Sequence, residues 1–374
     1  MKHRKHGNEV RADYGNFGRV EWAMVGAPCG DIQEFARSLA RHLSHDFSLS
    51  YIDADHGEVG LSNDPDLSNG FQSVLTGFQD GDEVRRLDQS EWTRRFEQTS
   101  HDIVLLNGNH YQGKQQIVFL DQRKTASLER RLDQLTDVLL LVDVDGNRQI
   151  PDFLQLSTDV PVYSIHDVES IVRALAERLS EKIPVLNGLV LAGGFSTRMG
   201  EDKSHIAYHD RDQYEFAAGM IEEYCDLVYI GARPDQINDF PGRQVLPDAF
   251  VDMGPMGSIL SAMKAHPNHA WLVLACDLPL MDERSIADLI HGRSPKHMAT
   301  AYRATDDPFP QPLFAIWEPK MFNRALNFLS LGYQCPRKAL INSEIHTIAP
   351  YTEDVLINVN TPEERDRIQQ RLHG

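Results

Sequence analysis

Residues 191–203 read Leu-Ala-Gly-Gly-Phe-Ser-Thr-Arg-Met-Gly-Glu-Asp-Lys and follow an apolar run, 185–190, broken only by Asn187 and Gly188. A buried strand that spills into a glycine-rich turn ending in Arg and Lys suits a phosphate chain. Small residues let backbone N–H groups approach phosphate oxygens without an intervening side chain. Arg198 and Lys203 supply fixed positive charge where it is wanted. This stretch predicts an α/β fold and makes a nucleotide enzyme the leading reading.

Outward from it, the pattern alternates. C-terminal to the loop, helical spacing at 216–223, 259–265, 285–290 and 321–329 separates apolar runs at 227–230, 271–276 and 313–317. A last strand is expected at 354–359 and a last helix at 362–372. N-terminal to it, strands are expected at 20–25, 47–52, 103–106, 116–120, 138–142 and 162–165, with helices at 32–43 and 167–179. Residues 56–70 read as a loop, and residues 1–19 as a mobile polar segment. Strands alternating with helices imply two domains, each a mostly parallel sheet flanked by helices. The expected boundaries are 20–180 and 186–374, joined by a linker at 181–185.

The chain has 374 residues, 41% hydrophobic and 25% charged, a globular profile. No apolar run reaches the roughly 18 residues of a membrane span. The start, Met1-Lys2-His3-Arg4-Lys5-His6, is basic but precedes no apolar signal core. Cys29, Cys225, Cys276 and Cys335 lack metal-ligand spacing and read as reduced thiols of a cytoplasmic protein. The net charge of −18 argues against nucleic-acid or membrane binding, because polyanions are repelled. A phosphate site must therefore be a local basic pocket.

Four features fall at strand ends, where open α/β sheets place ligands. The glycine loop is the first. In the second, Leu246-Pro247-Asp248 precedes Gly254-Pro255-Met256-Gly257. There a flexible turn opens a helix, and Asp248 is suited to accept hydrogen bonds from a base or ribose, or to serve as a turn residue. The third is Leu274-Ala275-Cys276-Asp277-Leu278-Pro279. Asp277, just past a buried strand, is placed to hold Mg²⁺ beside substrate phosphates, or to cap a helix. The fourth is Leu356-Ile357-Asn358-Val359-Asn360-Thr361-Pro362. Asn358 and Asn360 point the same way on a strand, and Thr361-Pro362 caps the last helix.

Taken as an ordered set, these motifs resemble those of molybdenum cofactor guanylyltransferases over residues 185–374. The Leu-Ala-Gly-Gly opening looks more like the GTP-using than the CTP-using relatives. The resemblance implies a Rossmann-like nucleotidyltransferase domain. In it the terminal phosphate of molybdopterin attacks the α-phosphorus of GTP and pyrophosphate leaves. It also implies that Leu191, Ala192 and Gly193 lie along guanine and ribose. Gly194, Arg198 and Lys203 would face the phosphates, Asp248 the nucleoside, and Asp277 the Mg²⁺. Arg337, Asn358 and Asn360 would sit on the pterin side. Two departures stand out. The family usually has Asn near Gly231-Ala232-Arg233, and His-Pro where Gln311-Pro312 stands.

In the first half, Val25-Gly26-Ala27-Pro28-Cys29-Gly30-Asp31-Ile32-Gln33 occupies the place of a P-loop, but Asp31, Ile32 and Gln33 replace its Gly-Lys-Ser/Thr. Asp31 would repel a triphosphate yet suits a helix N-terminus. Together with Asp53-Ala54-Asp55-His56-Gly57, 102–108 and 114–120, this half resembles the GTP-binding adapter protein of molybdopterin-guanine dinucleotide synthesis. The resemblance implies a P-loop-NTPase-like domain with a degenerate P-loop. Asp53, Asp55 and His56 are either ordinary polar loop residues or a metal cluster. The expected partners of this half are a second copy of the chain, or the apo-molybdoenzyme (or its chaperone) that takes the cofactor. Two rival readings of the whole remain: a nucleotidyltransferase using CTP or a phosphorylated sugar, and a non-catalytic cofactor-binding or delivery protein.

Overall fold

The computed structural model describes residues 20–54, 73–78, 80–86, 91–156, 159–193 and 203–373. The mobile-segment expectation for 1–19, the 56–70 loop, and Asp55, His56, Gly194 and Arg198 lie outside the described residues. The chain divides into two compact units, one ending at Arg178 and the other running from Leu179 onward. Among the described residues no helix is long and apolar enough to cross a membrane.

The first unit is built on six parallel strands: β1 (Val20–Val25), β2 (Leu49–Ile52), β5 (Ile103–Asn107), β6 (Gln115–Leu120), β7 (Val138–Asp143) and β8 (Val162–Ser164). Their order is β2-β5-β1-β6-β7-β8. All five residues of β5 are buried, which is why it reads as an unbroken apolar run. Helix α1 (Cys29–Leu43) buries Ile32, Phe35, Ala36, Leu39 and Leu43, one stripe at helical spacing. It begins three residues earlier than its apolar stripe predicts, so only Gly26-Ala27-Pro28 connects it to β1. Asp31, in its first turn, pairs with Arg123, which also holds Asp121. A separate hairpin, β3 (Ser73–Phe78) with β4 (Gly81–Arg86), precedes α2 (Glu91–Glu97). Helices α3 (Thr125–Glu129) and α4 (Val168–Ser180) follow among the described residues.

The second unit holds a seven-stranded sheet of order β11-β10-β9-β12-β14-β13-β15. The strands are β9 (Leu186–Leu191), β10 (Val228–Ala232), β11 (Gln244–Pro247), β12 (Ala270–Ala275), β13 (Ala299–Tyr302), β14 (Phe314–Trp317) and β15 (His346–Ile348). Strand β12 is buried along its whole length, and its side chains alternate between two cores. Leu272 and Leu274 join α5 (Gln213–Ile221) and α7 (Glu283–His291) on one face. Trp271 and Val273 join α6 (Pro255–Ala265), α8 (Met321–Ser330) and α9 (Pro336–Ile341) on the other. The result is a three-layer α/β/α unit closed by α10 (Pro362–His373).

Strand β14 runs antiparallel to both β12 and β13, while the other four pairings are parallel, so the sheet is mostly parallel, as expected, with one reversed strand. One expectation is corrected. The last strand expected at 354–359 is instead a 3₁₀ turn, Glu353–Leu356, followed by irregular chain. Thr352 caps that turn by accepting from Asp354 N. Val359 N–H then donates to Asp277 O at 2.8 Å, so the segment closes over the end of β12 instead of adding a strand. The shared strand face expected for Asn358 and Asn360 therefore does not exist. The cap of the last helix does form: Glu364 N donates to Thr361 Oγ1 while its carboxylate accepts from the Asn360 and Thr361 N–H groups.

Candidate active site

The carboxyl ends of β11, β10, β9 and β12 lie side by side, and a cavity of about 380 Å³ opens there. Leu191, Ala192, Gly193, Lys203, Asp248 and Asp277 line it, with Arg233, Asp252, Gly254, Pro255 and Ser258. Each strand sends its first residues past the sheet into this space, as expected for an open α/β sheet.

Gly193 is fixed by crowding. A Cβ there would meet Arg233 N at 2.9 Å and Ala232 Cα at 3.0 Å, both backbone atoms of the adjacent strand end. Ala192 and Gly193 also send their N–H groups to Gly231 O, at 2.9 and 3.1 Å. Those two donors extend the sheet. Gly254, at φ +55°, turns the chain into α6, with Pro255 at its first position. The positive end of that helix therefore faces the cavity.

Asp248 lies just after β11, held by its N–H to Ala232 O at 2.9 Å. Burial pushes its carboxyl up from the usual range; a hydrogen bond with Ser258 and the charge of Arg233 oppose the shift. Its Oδ1 is buried without a hydrogen-bond partner. A desolvated acceptor of this kind costs stability unless a donor reaches it. Burial also pushes Asp277 up, opposed by the charge of Lys203. Lys203 Nζ donates to Val359 O at 3.0 Å and to Asn360 Oδ1 at 2.7 Å. The lysine thus ties the 357–360 segment to the end of β12.

The residues expected on the pterin side are not gathered together. Asn360 reaches the cavity rim through Lys203. Asn358 is exposed and does not line the cavity. Arg337, on α9, lies 3.6 Å from Asp307 and donates to Gln311 Oε1 at 3.3 Å, away from the lining. The arginine therefore contacts the residue that stands where the family usually has His. In the first unit, Asp53 accepts from Tyr51, Asn107 and Ala54. Burial raises its carboxyl, but those bonds outweigh it and hold the group below the usual range. Among the described residues no group of three His, Cys, Asp or Glu side chains is placed to hold a metal.

Sequence reasoning missed Arg233 and Asp252. Arg233 Nη1 donates to Gly193 O at 3.0 Å, and its Nε and Nη2 hold Asp235 at 3.1 and 3.2 Å. The available signal was its place one residue past a strand that pairs with β9. Asp252 adopts φ +59° in the turn before α6, a conformation that only its place in the folded loop reveals.

A cavity of this kind, with a lysine and desolvated carboxylates at the ends of parallel strands, defines a nucleotidyltransferase. The model of the MobA-like NTP transferase domain matches residues 188–343. A molybdenum cofactor biosynthesis bifunctional protein of Synechocystis sp. is 34% identical over 188 residues, covering 49% of this chain and 53% of that protein. The chain thus spans about half the length of that relative. The molybdenum cofactor guanylyltransferase of Pseudomonas entomophila is 28% identical, covering 50% of this chain and 98% of that one. A protein of Bacillus subtilis named "Probable molybdenum cofactor guanylyltransferase" is 33% identical, covering 36% and 67%. The chain belongs, by its C-terminal half, to the molybdenum cofactor guanylyltransferase family.

Proposed function

We propose that the second unit transfers GMP from GTP to the terminal phosphate of molybdopterin, releasing pyrophosphate. One observation carries this reading. Leu191, Ala192, Gly193, Lys203, Asp248 and Asp277, all chosen from sequence motifs, line a single cavity at the carboxyl end of the sheet. A phosphate oxygen of the acceptor attacks the α-phosphorus as the bond to the β-phosphate oxygen breaks. The nucleophile is already an anion, so no general base is needed, and catalysis is positioning plus charge neutralisation.

Leu191, Ala192 and Gly193 form the wall along the nucleoside. Asp248 Oδ1 accepts from a base N–H or ribose hydroxyl, which supplies the donor that this buried atom lacks. Lys203, with Gly194 and Arg198 of the preceding loop, places positive charge beside the phosphates. The Asp277 carboxyl fits a cation: burial raises it, and the Lys203 charge and a backbone hydrogen bond offset that only in part. Asp277 would hold Mg²⁺, which neutralises charge on the phosphates when bound. On the acceptor side, Asn360 is assigned through its bond to Lys203, with Asn358 and Arg337 beyond it.

We assign residues 20–180 to a P-loop-like domain that no longer holds nucleotide. The three-residue turn before α1 and the Asp31–Arg123 pair support this. A second copy of the chain, or the enzyme or chaperone receiving the cofactor, is the partner assigned to it.

The test is to incubate the full chain with Mg²⁺, molybdopterin and each NTP in turn, and to measure pyrophosphate. Release with GTP is expected. Preference for CTP would reassign the donor, and no release with any NTP would favour a delivery protein.

A further inference from the structure

The first unit carries a cluster of reactive groups that guanylyl transfer does not use. Cys29, half-buried, is the first residue of α1, a helix of 15 residues. Its Sγ lies 3.4 Å from His110 Nε2. Asn109 Nδ2 donates to the same sulfur at 3.5 Å and to Ala27 O at 3.0 Å. Asn109 N–H in turn bonds Asn107 Oδ1 at 3.1 Å, which anchors the turn after β5. Thiol, imidazole and amide thus come from the carboxyl ends of two adjacent parallel strands, β1 and β5.

Charged and titratable groups flank the pair. Asp53, at the end of the neighbouring β2, interacts with His110 with attractive sign. Tyr51 donates its hydroxyl to Asp53 at 2.6 Å, and burial raises its phenol far above neutrality, so it adds no charge. On α1 itself, Asp31 is paired with Arg123, and Arg37 lies within electrostatic reach of Tyr51. The helix N-terminus stabilises negative charge on sulfur.

We propose that Cys29 is a nucleophilic thiol with His110 as its proton acceptor, and that it takes small disulfides as substrates. The Sγ–H proton passes to His110 Nε2, and Sγ attacks one sulfur of the disulfide. A new S–S bond forms to Cys29 as the old one breaks, and the departing thiolate recovers the proton from His110. The products are a mixed disulfide on Cys29 and one free thiol, and the incoming disulfide is the oxidant.

Cys335 supplies an internal reference, because it is exposed and also precedes a helix. The full chain is treated with glutathione disulfide, and the adducts are timed by peptide mass mapping. Cys29 is expected to react before the more exposed Cys335. His110→Gln is expected to slow Cys29 by roughly 10-fold or more while leaving Cys335 unchanged. An unaltered circular dichroism spectrum and melting curve show that the variant folds; a variant that misfolds is replaced by His110→Asn, read the same way. Labelling that follows exposure, with Cys335 first, overturns the proposal. So does an unchanged Cys29 rate in the variant, or zinc retained stoichiometrically by the wild-type chain and lost in Cys29→Ser, which would make the pair a metal site.

Discussion

Asp248→Asn changes one oxygen of the cavity into an amide with almost no change of shape, and the structure assigns it two effects of opposite sign. The first is on turnover. In the proposed function the buried, unbonded Oδ1 would be the acceptor for the nucleoside. A hydrogen bond to a charged acceptor contributes about 1.5–3 kcal/mol. At about 1.4 kcal/mol per decade, its loss lowers kcat/KM for GTP by roughly 10- to 150-fold. The second effect is on stability. Burial holds this carboxyl above its ordinary range in the folded chain. The folded state then binds more protons than the unfolded one, so the cost is absent below the unfolded pKa of about 3.9 and grows as pH rises through the folded value. Asparagine carries no such cost. Without nucleotide, the variant is expected to melt above the parent at neutral pH, with the gap closing towards about pH 4. Pyrophosphate release and thermal melts at both pH values measure the two effects. A variant that is less stable at neutral pH yet turns over GTP normally would show that Asp248 only shapes the turn.

Gly193→Ala forces a Cβ against the backbone of 232–233 at 2.9–3.0 Å, so the ends of β9 and β10 must part. The expected loss is about 1–3 kcal/mol in a denaturant titration, and an unchanged midpoint would mean that the strand ends yield freely. Arg293→Met removes the partner of Glu318, a buried carboxylate held at 2.7 and 3.0 Å, and releases Pro184 O. An unfolding measurement should show a loss of about 3–5 kcal/mol, largely recovered when Glu318 is also made Met. Chelating Mg²⁺ is expected to weaken GTP binding as well as turnover, which equilibrium binding with and without EDTA reads directly.

Much of the second unit was legible because its central strands are buried on both faces. Residues 186–191, apolar apart from Asn187 and Gly188, and 270–275 are runs of strand length, and cavity-lining residues directly follow them in the chain. Strand direction was not legible: Phe314–Trp317 is as apolar in one direction as in the other. Nor was the hairpin at 73–86, whose Asp82, Glu83, Arg85 and Arg86 hide a strand pattern beneath a charged run. At 354–359, Val355, Leu356 and Val359 supply β-rich composition, but Val355 and Leu356 are buried from a turn, in the core that holds Leu272 and Leu274, and Val359 is buried against Ile206, Tyr208 and Ile368. Composition reports that a residue is buried, and a single sequence does not say against what.

The same distinction governs the charges of the site. Asp248, Asp252 and Asp277 bring three carboxylates to a cavity where Lys203 and Arg233 are the cations among the described lining residues. Arg233 is already matched by its two bonds to Asp235, and Lys203 is shared among Asp277, Val359 and Asn360. A triphosphate entering this acidic chain meets too little positive charge from these residues alone. In the proposed function the deficit would be met by Arg198 and by a divalent cation. The proposed roles then give the carboxylates a purpose: Asp277 would face the cation, and Asp248 the nucleoside donors. On those roles each would become favourable only when its ligand arrives, so the cavity would be least stable when empty and its binding energy directed to the complex with both nucleotide and metal.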